Sequence, residues 1–372
     1  MSETFVATAA FGLEGVAAGE LRRMGLDARA ENGGARFTGT LLDGYRANLL
    51  LRTADRVLLV LAQEEARTFE ALYQLVSRVA WERYLPADAS IHVSGKCVRS
   101  QLMSVRDCQA VSKKAIVTRL MNRLRLSRLP ETGAVYPIEV AVVGDVARIT
   151  LDLSGDALNR RGYRTWNGEA PLRETLAAAL VELSPWRRGM RLYDPCCGTG
   201  TLLIEAALKA VERPAGIRRN FACEAFAFMP RPEMAALRRE LQAGYNEQTP
   251  FCIEGSDISP EALELCRRHI RQAGFEGRIA VRRQDLRTLN VPGEPGVFLL
   301  NPPYGERLND QKSARALYRE IGLLWKRHPG WKLAAITADP AFERFFGHRA
   351  DKKRRLYNGR LECDLYLYGN AP

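Results

Sequence analysis

The sequence predicts an α/β protein in two parts. An α+β N-terminal half precedes a C-terminal half built on a doubly wound parallel sheet, which an antiparallel hairpin closes at its edge. The 372 residues suffice for two or three domains, and 46% hydrophobic with 26% charged residues is typical of globular chains. Strand and helix patterns alternate beyond residue 171, as in parallel α/β sheets. Near the C-terminus, Asn358-Gly359 separates two strand-like runs, which indicates a two-residue hairpin turn.

The N-terminal half shows short strand patterns interrupted by apolar positions at helical spacing. Hairpin turns are predicted at Asn32-Gly33-Gly34 and at Gly144-Asp145. The predicted strands are 4–10, 56–61, 90–98, 136–143 and 146–153, and the predicted helices are 13–24, 41–51, 68–79 and 107–126. These elements indicate small α+β modules.

The pattern changes after residues 155–170, which are rich in Gly, Asn and Arg and predict a boundary. Residues 212–250 are too many for one connection and predict an insertion with a helix near 232–245. The remaining predicted helices are 172–183, 201–211, 260–272 and 314–327, and the strands are 191–194, 251–256, 279–283, 297–300, 333–337, 352–357 and 360–367.

Three sequence features lie at predicted strand ends, where a ligand could bind. The turn DPCCGTGT (194–201) combines glycines that allow close backbone approach with a following helix N-terminus, but it lacks the phosphate-loop pattern. Asp257 follows the next strand, where a carboxylate can accept the hydroxyl protons of a ribose. Asp285 follows the strand after that and could accept from an adenine amino group. Taken alone, Asp257 would be interpreted as a helix-capping acid, and Asp285 alone is uninformative.

The motif Asn301-Pro302-Pro303-Tyr304-Gly305 directly follows the apolar strand VFLL. Two prolines stiffen the chain and leave carbonyls without a ladder partner, and Asn adds an amide oxygen beside them. Two acceptors at fixed spacing suit a planar amino group, and Tyr304 offers a face for stacking the ring that carries it. A rigid turn after the strand is the simpler alternative.

Taken in order, DPCCGTGT, GSDIS, QDL and NPPYG resemble the class I S-adenosylmethionine-dependent methyltransferases that act on exocyclic amino groups. The segments RANLLLRTADRVLLVL, DCQAVSKKAIVTRL and ITLDLSGDALNRRGYR resemble THUMP-containing RNA methyltransferases with a preceding ferredoxin-like domain. APLRETLAAAL and RRLYNGRLECDLYLY are also similar to that family, so the resemblance covers nearly the whole chain. Within it, the sequence is most similar to bacterial enzymes that methylate guanine N2 in large-subunit ribosomal RNA.

The resemblance implies an N-terminal ferredoxin-like domain (1–64), a THUMP RNA-binding domain (65–155), a linker (156–170) and a class I, Rossmann-like methyltransferase domain (171–372). It also implies that S-adenosylmethionine is the cofactor. The double cysteine Cys196-Cys197 departs from the family's more frequent single Cys, but the turn glycines are present.

Site residues also follow from the resemblance. The target base would be held by Asn301, Pro302, Pro303 and Tyr304. The residues implied for cofactor binding are Asp194, Cys197, Gly198, Thr199, Gly200, Asp257, Ile258, Asp285, Leu286 and Asn301.

RNA is the expected partner, because the formal net charge of +12 favours a polyanion. Ribosomal RNA is preferred and transfer RNA is possible. Lys113 and Lys114 on a basic helix, and Arg161 and Arg164 in the linker, are candidate RNA contacts, with an ordinary solvated surface as the alternative.

Four other functions remain open: transfer RNA guanine-N2 methylation, DNA adenine-N6 methylation, glutamine-amide methylation of a protein, and a non-catalytic RNA-binding role. The eight Cys and four His show no metal-ligand spacing, so no metal is expected. No signal peptide or membrane span is visible in the sequence, which predicts a cytoplasmic protein without membrane contact. The oligomeric state is not predicted.

Overall fold

The computed structural model describes residues 2–164, 172–304 and 308–369, without the side chains of residues 308 and 309. Parts of the predicted linker (165–170), Pro171, Gly305 and the last three residues lie outside the described residues. Internal contacts divide the chain into two units. The first comprises Met1–Ala9, Ala17–Leu158 and Arg219–Glu240, and the second comprises Ala10–Val16, Asn159–Arg218 and Leu241–Pro372.

The first unit contains one seven-stranded sheet in the order β2-β3-β1-β4-β7-β6-β5. Only the β5–β6 pair is parallel. The strands are β1 (Glu3–Thr8), β2 (Ala28–Glu31), β3 (Gly34–Gly39), β4 (Arg56–Glu65), β5 (Ser90–Val98), β6 (Val135–Val143) and β7 (Val146–Asp152). The predicted strand at 56–61 is longer in the structure, because its polar end, residues 62–65, pairs with β7. The two predicted N-terminal modules therefore share a single sheet.

Four helices alternate with these strands along the chain, and three of them, α2, α3 and α4, pack on the sheet and begin at hydroxyl caps. The helices are α1 (Glu14–Arg23), α2 (Leu41–Leu50), α3 (Phe69–Arg78) and α4 (Val105–Leu124). Thr40 and Asp43 form a reciprocal capping box at α2, and Thr68 and Ser104 cap α3 and α4.

The predicted insertion contributes to the first unit. Its helix α7 (Arg231–Ala243) lies close to the predicted position. The ring of Phe226 stacks on Tyr136 with 4.5 Å between centroids, and Arg238 Nε donates to the Tyr45 hydroxyl over 2.9 Å. Residues 219–240 thus complete the packing of the N-terminal sheet.

The second unit contains the predicted doubly wound sheet, in the order β10-β9-β8-β11-β12-β14-β13. The first five strands are parallel, and β14 runs antiparallel to both β12 and β13. The strands are β8 (Leu192–Asp194), β9 (Ile253–Asp257), β10 (Ala280–Arg283), β11 (Val297–Leu300), β12 (Lys332–Thr337), β13 (Lys352–Asn358) and β14 (Leu361–Tyr368). All four residues of β11 are buried, as expected for an apolar run in a parallel sheet.

The helices of this unit are α5 (Glu174–Leu183), α6 (Thr201–Ala210), α8 (Pro260–Ala273), α9 (Leu308–Lys326) and α10 (Phe342–Phe346). Ser259 caps α8 and Gly274 ends it in the left-handed conformation. Helix α9 begins before the predicted residue 314, because its first turns are mostly polar and show no apolar period. Among the described residues, no helix is both long enough and apolar enough to cross a bilayer.

Candidate active site

The candidate site lies at the carboxyl ends of the central parallel strands. β8 ends at Asp194, β9 ends at Asp257, and β11 ends at Leu300, directly before Asn301. β8 lies between β9 and β11, and the chain order reverses there. In open α/β sheets, ligands bind in the crevice outside the strand ends at this point.

The turn after β8 is shaped by its glycines. Gly198 has φ +50°, and a Cβ there would point into open space, whereas a Cβ on Gly200 (φ +83°) would lie 2.6 Å from Cys266 Sγ. Gly198 N donates to Asp257 Oδ2 over 2.8 Å, and His269 Nδ1 lies 3.1 Å from the Thr199 carbonyl oxygen. Contacts from β9 and α8 thus fix the turn, while the space next to the Gly198 Cα stays open.

A cavity of about 440 Å³ opens above this turn. Five of the predicted site residues line it: Asp194, Cys197, Gly198, Thr199 and Asn301. The structure therefore brings the glycine turn and the first residue of the Asn-Pro-Pro-Tyr motif to one cavity. Other lining residues, which the sequence did not indicate as site residues, are Leu172, Thr201, Leu202, Ser259, Glu261, Ala262 and Leu265. Ser259 was recognisable only as the cap of α8.

Asp194 is the most unusual carboxylate of this cavity. It is buried, and Cys196 N donates to its Oδ1 over 3.0 Å. Burial raises the pKa of Asp194 well above its usual range, and the nearby charge of Asp257 adds to the shift. A buried carboxylate of this kind is suited to a cationic ligand group, which would favour its ionised form.

We expect Asp194→Asn to stabilise the free protein near neutral pH while weakening cofactor binding. Because the folded pKa is raised, the stabilising contribution of Asp194 is present below its unfolded pKa and is lost as the pH rises through the folded value. Asn keeps the Cys196 hydrogen bond without that charge. The melting temperature at pH 7.5 should therefore rise. The dissociation constant of S-adenosylmethionine should increase roughly 10- to 50-fold, since a hydrogen bond to a charged group contributes about 1.5–3 kcal/mol. An unchanged dissociation constant would show that Asp194 does not contribute to cofactor binding.

A second cavity, of about 570 Å³, lies beside the first, and Cys196 lines both. Asp257, Ile258, Asp285 and Leu286 line it, together with residues of α9. The Ile258 side chain is 60% exposed and lines this cavity, so it offers an apolar surface to a planar ring. The residues predicted to bind the ribose and the adenine of the cofactor therefore line one cavity.

The Asp285 carboxylate already has a partner in this structure. Arg287 Nε donates to Asp285 Oδ2 over 2.8 Å, and Arg287 N donates to Oδ1 over 2.9 Å. These bonds hold the pKa of Asp285 below its usual range, so the carboxylate is ionised and can accept a further hydrogen bond. Arg287 had not been indicated by the sequence.

The Asn-Pro-Pro-Tyr segment forms its own contacts after β11. The Tyr304 hydroxyl donates to Asn301 Oδ1 over 2.5 Å, Pro302 is buried, and Pro303 is exposed. Burial raises the pKa of Tyr304, so the phenol keeps its proton. The predicted acceptor atom of Asn301 is thus satisfied by a neighbouring residue of the same motif.

Tyr318 of α9 fixes the backbone of this segment. Its hydroxyl lies 3.1 Å from the Pro303 carbonyl oxygen, to which it donates, and 3.0 Å from Thr337 Oγ1. Burial raises the pKa of Tyr318 to about 12. The sequence offered no signal for this contact, because the two residues come from different elements.

Tyr318→Phe should lower kcat about 5- to 10-fold and leave cofactor affinity within twofold of wild type. The ring still fills its site, while the Pro303 carbonyl loses a hydrogen bond that contributes about 1 kcal/mol. Steady-state kinetics with saturating cofactor measures this effect. An unchanged kcat would show that the hydrogen bond from Tyr318 to the Pro303 carbonyl does not affect catalysis.

The two lysines predicted to contact RNA lie on α4. Lys114 is exposed, and Lys113 Nζ lies 3.0 Å from Glu131 Oε2. Both remain candidates, with Lys114 the better placed for a phosphate.

The two predicted arginine contacts are ion-paired, and Arg161 is buried while Arg164 is half-buried. Arg161 Nε lies 3.3 Å from Glu205 Oε1, with 2% of the Arg161 side chain exposed, and Arg164 Nε lies 3.3 Å from Glu174 Oε1. Their charges are neutralised inside the second unit, so the structure favours a role in holding the chain before α5. We do not retain them as RNA contacts.

Among the described residues, no group of three or more His, Cys, Asp or Glu could hold a metal ion. His328 is buried, and its Nε2 accepts from Val291 N over 3.0 Å. This histidine has a packing role.

Three family models together match most of the chain. The RMKL-like methyltransferase domain matches residues 161–366, the RlmL ferredoxin-like domain matches residues 4–58, and the THUMP domain matches residues 66–152. The predicted fold class is thereby confirmed, including the ferredoxin-like and THUMP parts.

Two curated relatives extend this result. A Bacillus subtilis (strain 168) protein named "Putative RNA methyltransferase YpsC" is 38% identical over 367 residues, which cover 98% of this chain and 95% of that protein. The Ribosomal RNA large subunit methyltransferase K/L of Methylococcus capsulatus is 38% identical over 390 residues, covering 100% of this chain and 52% of that protein. The chain thus spans about half the length of the K/L protein.

A solved structure supports the cofactor. The crystal structure of SMU.472 complexed with SAH has a TM-score of 0.95 and 38% identity, and the match covers 100% of this chain and 99% of that one. SAH is what S-adenosylmethionine becomes after it gives up its methyl group, so the predicted cofactor is confirmed for this group of proteins. Since the methyltransferase model matches more than half of the chain, this protein belongs to the RMKL-like methyltransferase family.

Proposed function

We propose that this protein transfers the methyl group of S-adenosylmethionine to the exocyclic N2 amino group of a guanine in large-subunit ribosomal RNA. One observation carries the proposal: Asn301, the first acceptor of the Asn-Pro-Pro-Tyr segment, lines the same cavity as Asp194 and the glycine turn. An amino group held by Asn301 therefore faces the cofactor.

The two cavities fit the two ends of the cofactor. The open face of Gly198 leaves room that a side chain would fill, and the buried Asp194 suits the ammonium group of the methionine end. Asp257 would accept from the ribose, and Ile258, Asp285 and Leu286 would hold the adenine. When bound, S-adenosylmethionine supplies an electrophilic methyl group and positive charge.

The protein's own contribution is to hold and orient the target base. Asn301 Oδ1 and a proline carbonyl accept the two protons of the amino group, which directs its lone pair toward the methyl group. The incoming amino group would take the place of the Tyr304 hydroxyl on Asn301. The freed Tyr304 ring could then stack on the base. We assign no general base.

RNA as substrate is supported by the THUMP match, the net charge of +12 and the named activity of the K/L relatives. Guanine N2 rests on the sequence resemblance. The Asn-Pro-Pro-Tyr segment is suited to an amino group but does not determine which base carries that group. The base must therefore be identified by experiment.

Lys114→Glu should weaken RNA binding and reduce the slope of log affinity against log salt by about one, if Lys114 contacts a phosphate. Lys326→Glu, which reverses another exposed lysine, is the matched control. Filter binding at four salt concentrations measures both slopes, and equal slopes would exclude the contact.

The function is tested by incubating the protein with labelled S-adenosylmethionine and total RNA or genomic DNA from cells that lack it. Nucleoside analysis should place the label on guanine N2 in large-subunit ribosomal RNA. Label in transfer RNA would reassign the substrate, and label on adenine N6 in DNA would contradict the proposal.

A further inference from the structure

An aromatic pair, of which one ring is exposed and the other half-buried, lies on the second unit. Phe11 is 58% exposed, and its ring meets Tyr357 edge-to-face with 5.4 Å between centroids. Tyr357 belongs to β13, and Ala10–Val16 belongs to the second unit despite its position near the start of the sequence. The two rings together form one apolar surface, and a contiguous apolar surface is a candidate interaction site.

The loop that presents Phe11 is held at the next residue. Gly12 has φ +88°, and a Cβ there would lie 2.7 Å from the Arg355 carbonyl oxygen. Gly12 O accepts from Arg354 Nη2 over 2.7 Å, and Gly12 N donates to Glu14 Oε2 over 2.8 Å. Because both backbone groups of Gly12 are bonded, Phe11 has a defined position on the hairpin.

The aromatic pair lies at the turn end of the hairpin, where the hairpin approaches the base-holding segment. Tyr357 is followed by Asn358, the last residue of β13, and Leu356 pairs with Cys363 across the hairpin. Asn358 and Cys363 both lie close enough to the Tyr304 hydroxyl to influence its pKa. Tyr357 and Asn358 lie at the turn end of β13 with their side chains on opposite faces of the strand, so the aromatic pair lies at the end of the hairpin that approaches Tyr304.

The hairpin also carries an excess of positive charge. Lys352 and Arg360 are exposed, while Arg355 Nε lies 3.0 Å from Glu362 Oε1. Its basic residues are Lys352, Lys353, Arg354, Arg355 and Arg360, and the acidic residues are Glu362 and Asp364. Aromatic faces combined with cations are how proteins bind single-stranded nucleic acid, through base stacking and backbone attraction.

We propose that Phe11 and Tyr357 form a stacking platform for an unpaired nucleotide that neighbours the target base. The platform rests on the proposed RNA methyltransferase function and gives it a second contact point. It would favour substrates in which the target guanine lies in a loop or another unpaired segment, where adjacent bases can leave the helix.

The test compares Phe11→Ala and Phe11→Leu with wild type, using large-subunit ribosomal RNA from cells that lack the protein. Leu323→Ala, which truncates another exposed apolar side chain of the same unit, is the control. Both Phe11 variants should weaken RNA affinity and raise KM for RNA about tenfold, while S-adenosylmethionine affinity stays at the wild-type value and confirms folding. The Leu323 variant should match wild type.

Three results would overturn the platform. RNA affinity could be unchanged in both Phe11 variants. Phe11→Leu could bind like wild type while Phe11→Ala is weak, which would show apolar packing instead of stacking. Activity on ribosomal particles could fall with unchanged affinity for RNA, which would indicate a protein partner. Absence of any transfer by the wild-type protein to RNA would instead contradict the proposed function itself, so the two failures are distinguishable.

Discussion

Asn301→Ala should lower kcat for methyl transfer about 100- to 1,000-fold and change the dissociation constant of S-adenosylmethionine by less than threefold. Asn301 Oδ1 is the side-chain acceptor at the end of β11, and losing one fixed polar group at a reacting centre costs about this factor. Single-turnover kinetics with saturating RNA measures the chemical step, and calorimetry measures cofactor binding.

Asn246→Ala is a matched control, because Asn246 is exposed and does not line the cofactor cavity. It should behave as wild type in both measurements. If Asn301→Ala turned over nearly as fast as wild type with cofactor binding intact, the base-holding role of Asn301 would be wrong.

Asp257→Ala should weaken S-adenosylmethionine binding roughly 100-fold or more. Its carboxylate accepts from Gly198 N and, through Oδ1, from Ser259 N over 2.9 Å, and it also has lone pairs for a ribose. The substitution removes both a ligand contact and the support of the glycine turn, each worth about 1.5–3 kcal/mol for a charged acceptor. Calorimetry with S-adenosylmethionine and with its demethylated product checks this result.

Glu264→Ala is the control for Asp257, because Glu264 is an exposed carboxylate on α8 that pairs with Arg268. Cofactor affinity should not change in that variant. Equal S-adenosylmethionine affinities in the Asp257 and Glu264 variants would show that Asp257 does not bind the ribose.

The second unit was largely predictable because its signals are local. The run VFLL, the cap at Ser259 and the turn Asn358-Gly359 each depend on neighbouring residues, and each element lies close to its predicted position. Pairings between distant segments were not predictable. The extension of β4 to Glu65 depends on β7, and residues 219–240 pack in the first unit although they lie within the methyltransferase sequence.

The same limit applies to the site. Asp257 and Asn301 could be named because each lies at the end of a predicted strand, and Asp194 was implied by the resemblance of the glycine turn. The contact of Tyr318 with Pro303 and the bond from Tyr304 to Asn301 depend on side-chain placement, which motif spacing does not give. Burial of Arg161 against Glu205 was missed for a related reason, since a run of arginines resembles a surface cluster until its acidic partner is known.

The most direct test of the central claim is made in cells. Large-subunit ribosomal RNA would be isolated from a strain that lacks the protein, from that strain carrying the wild-type chain, and from that strain carrying Asn301→Ala, and N2-methylguanine would be quantified by mass spectrometry. We predict that one N2-methylguanine is lost, that the wild-type chain restores it, and that Asn301→Ala does not. Identical N2-methylguanine content in all three strains would contradict the account.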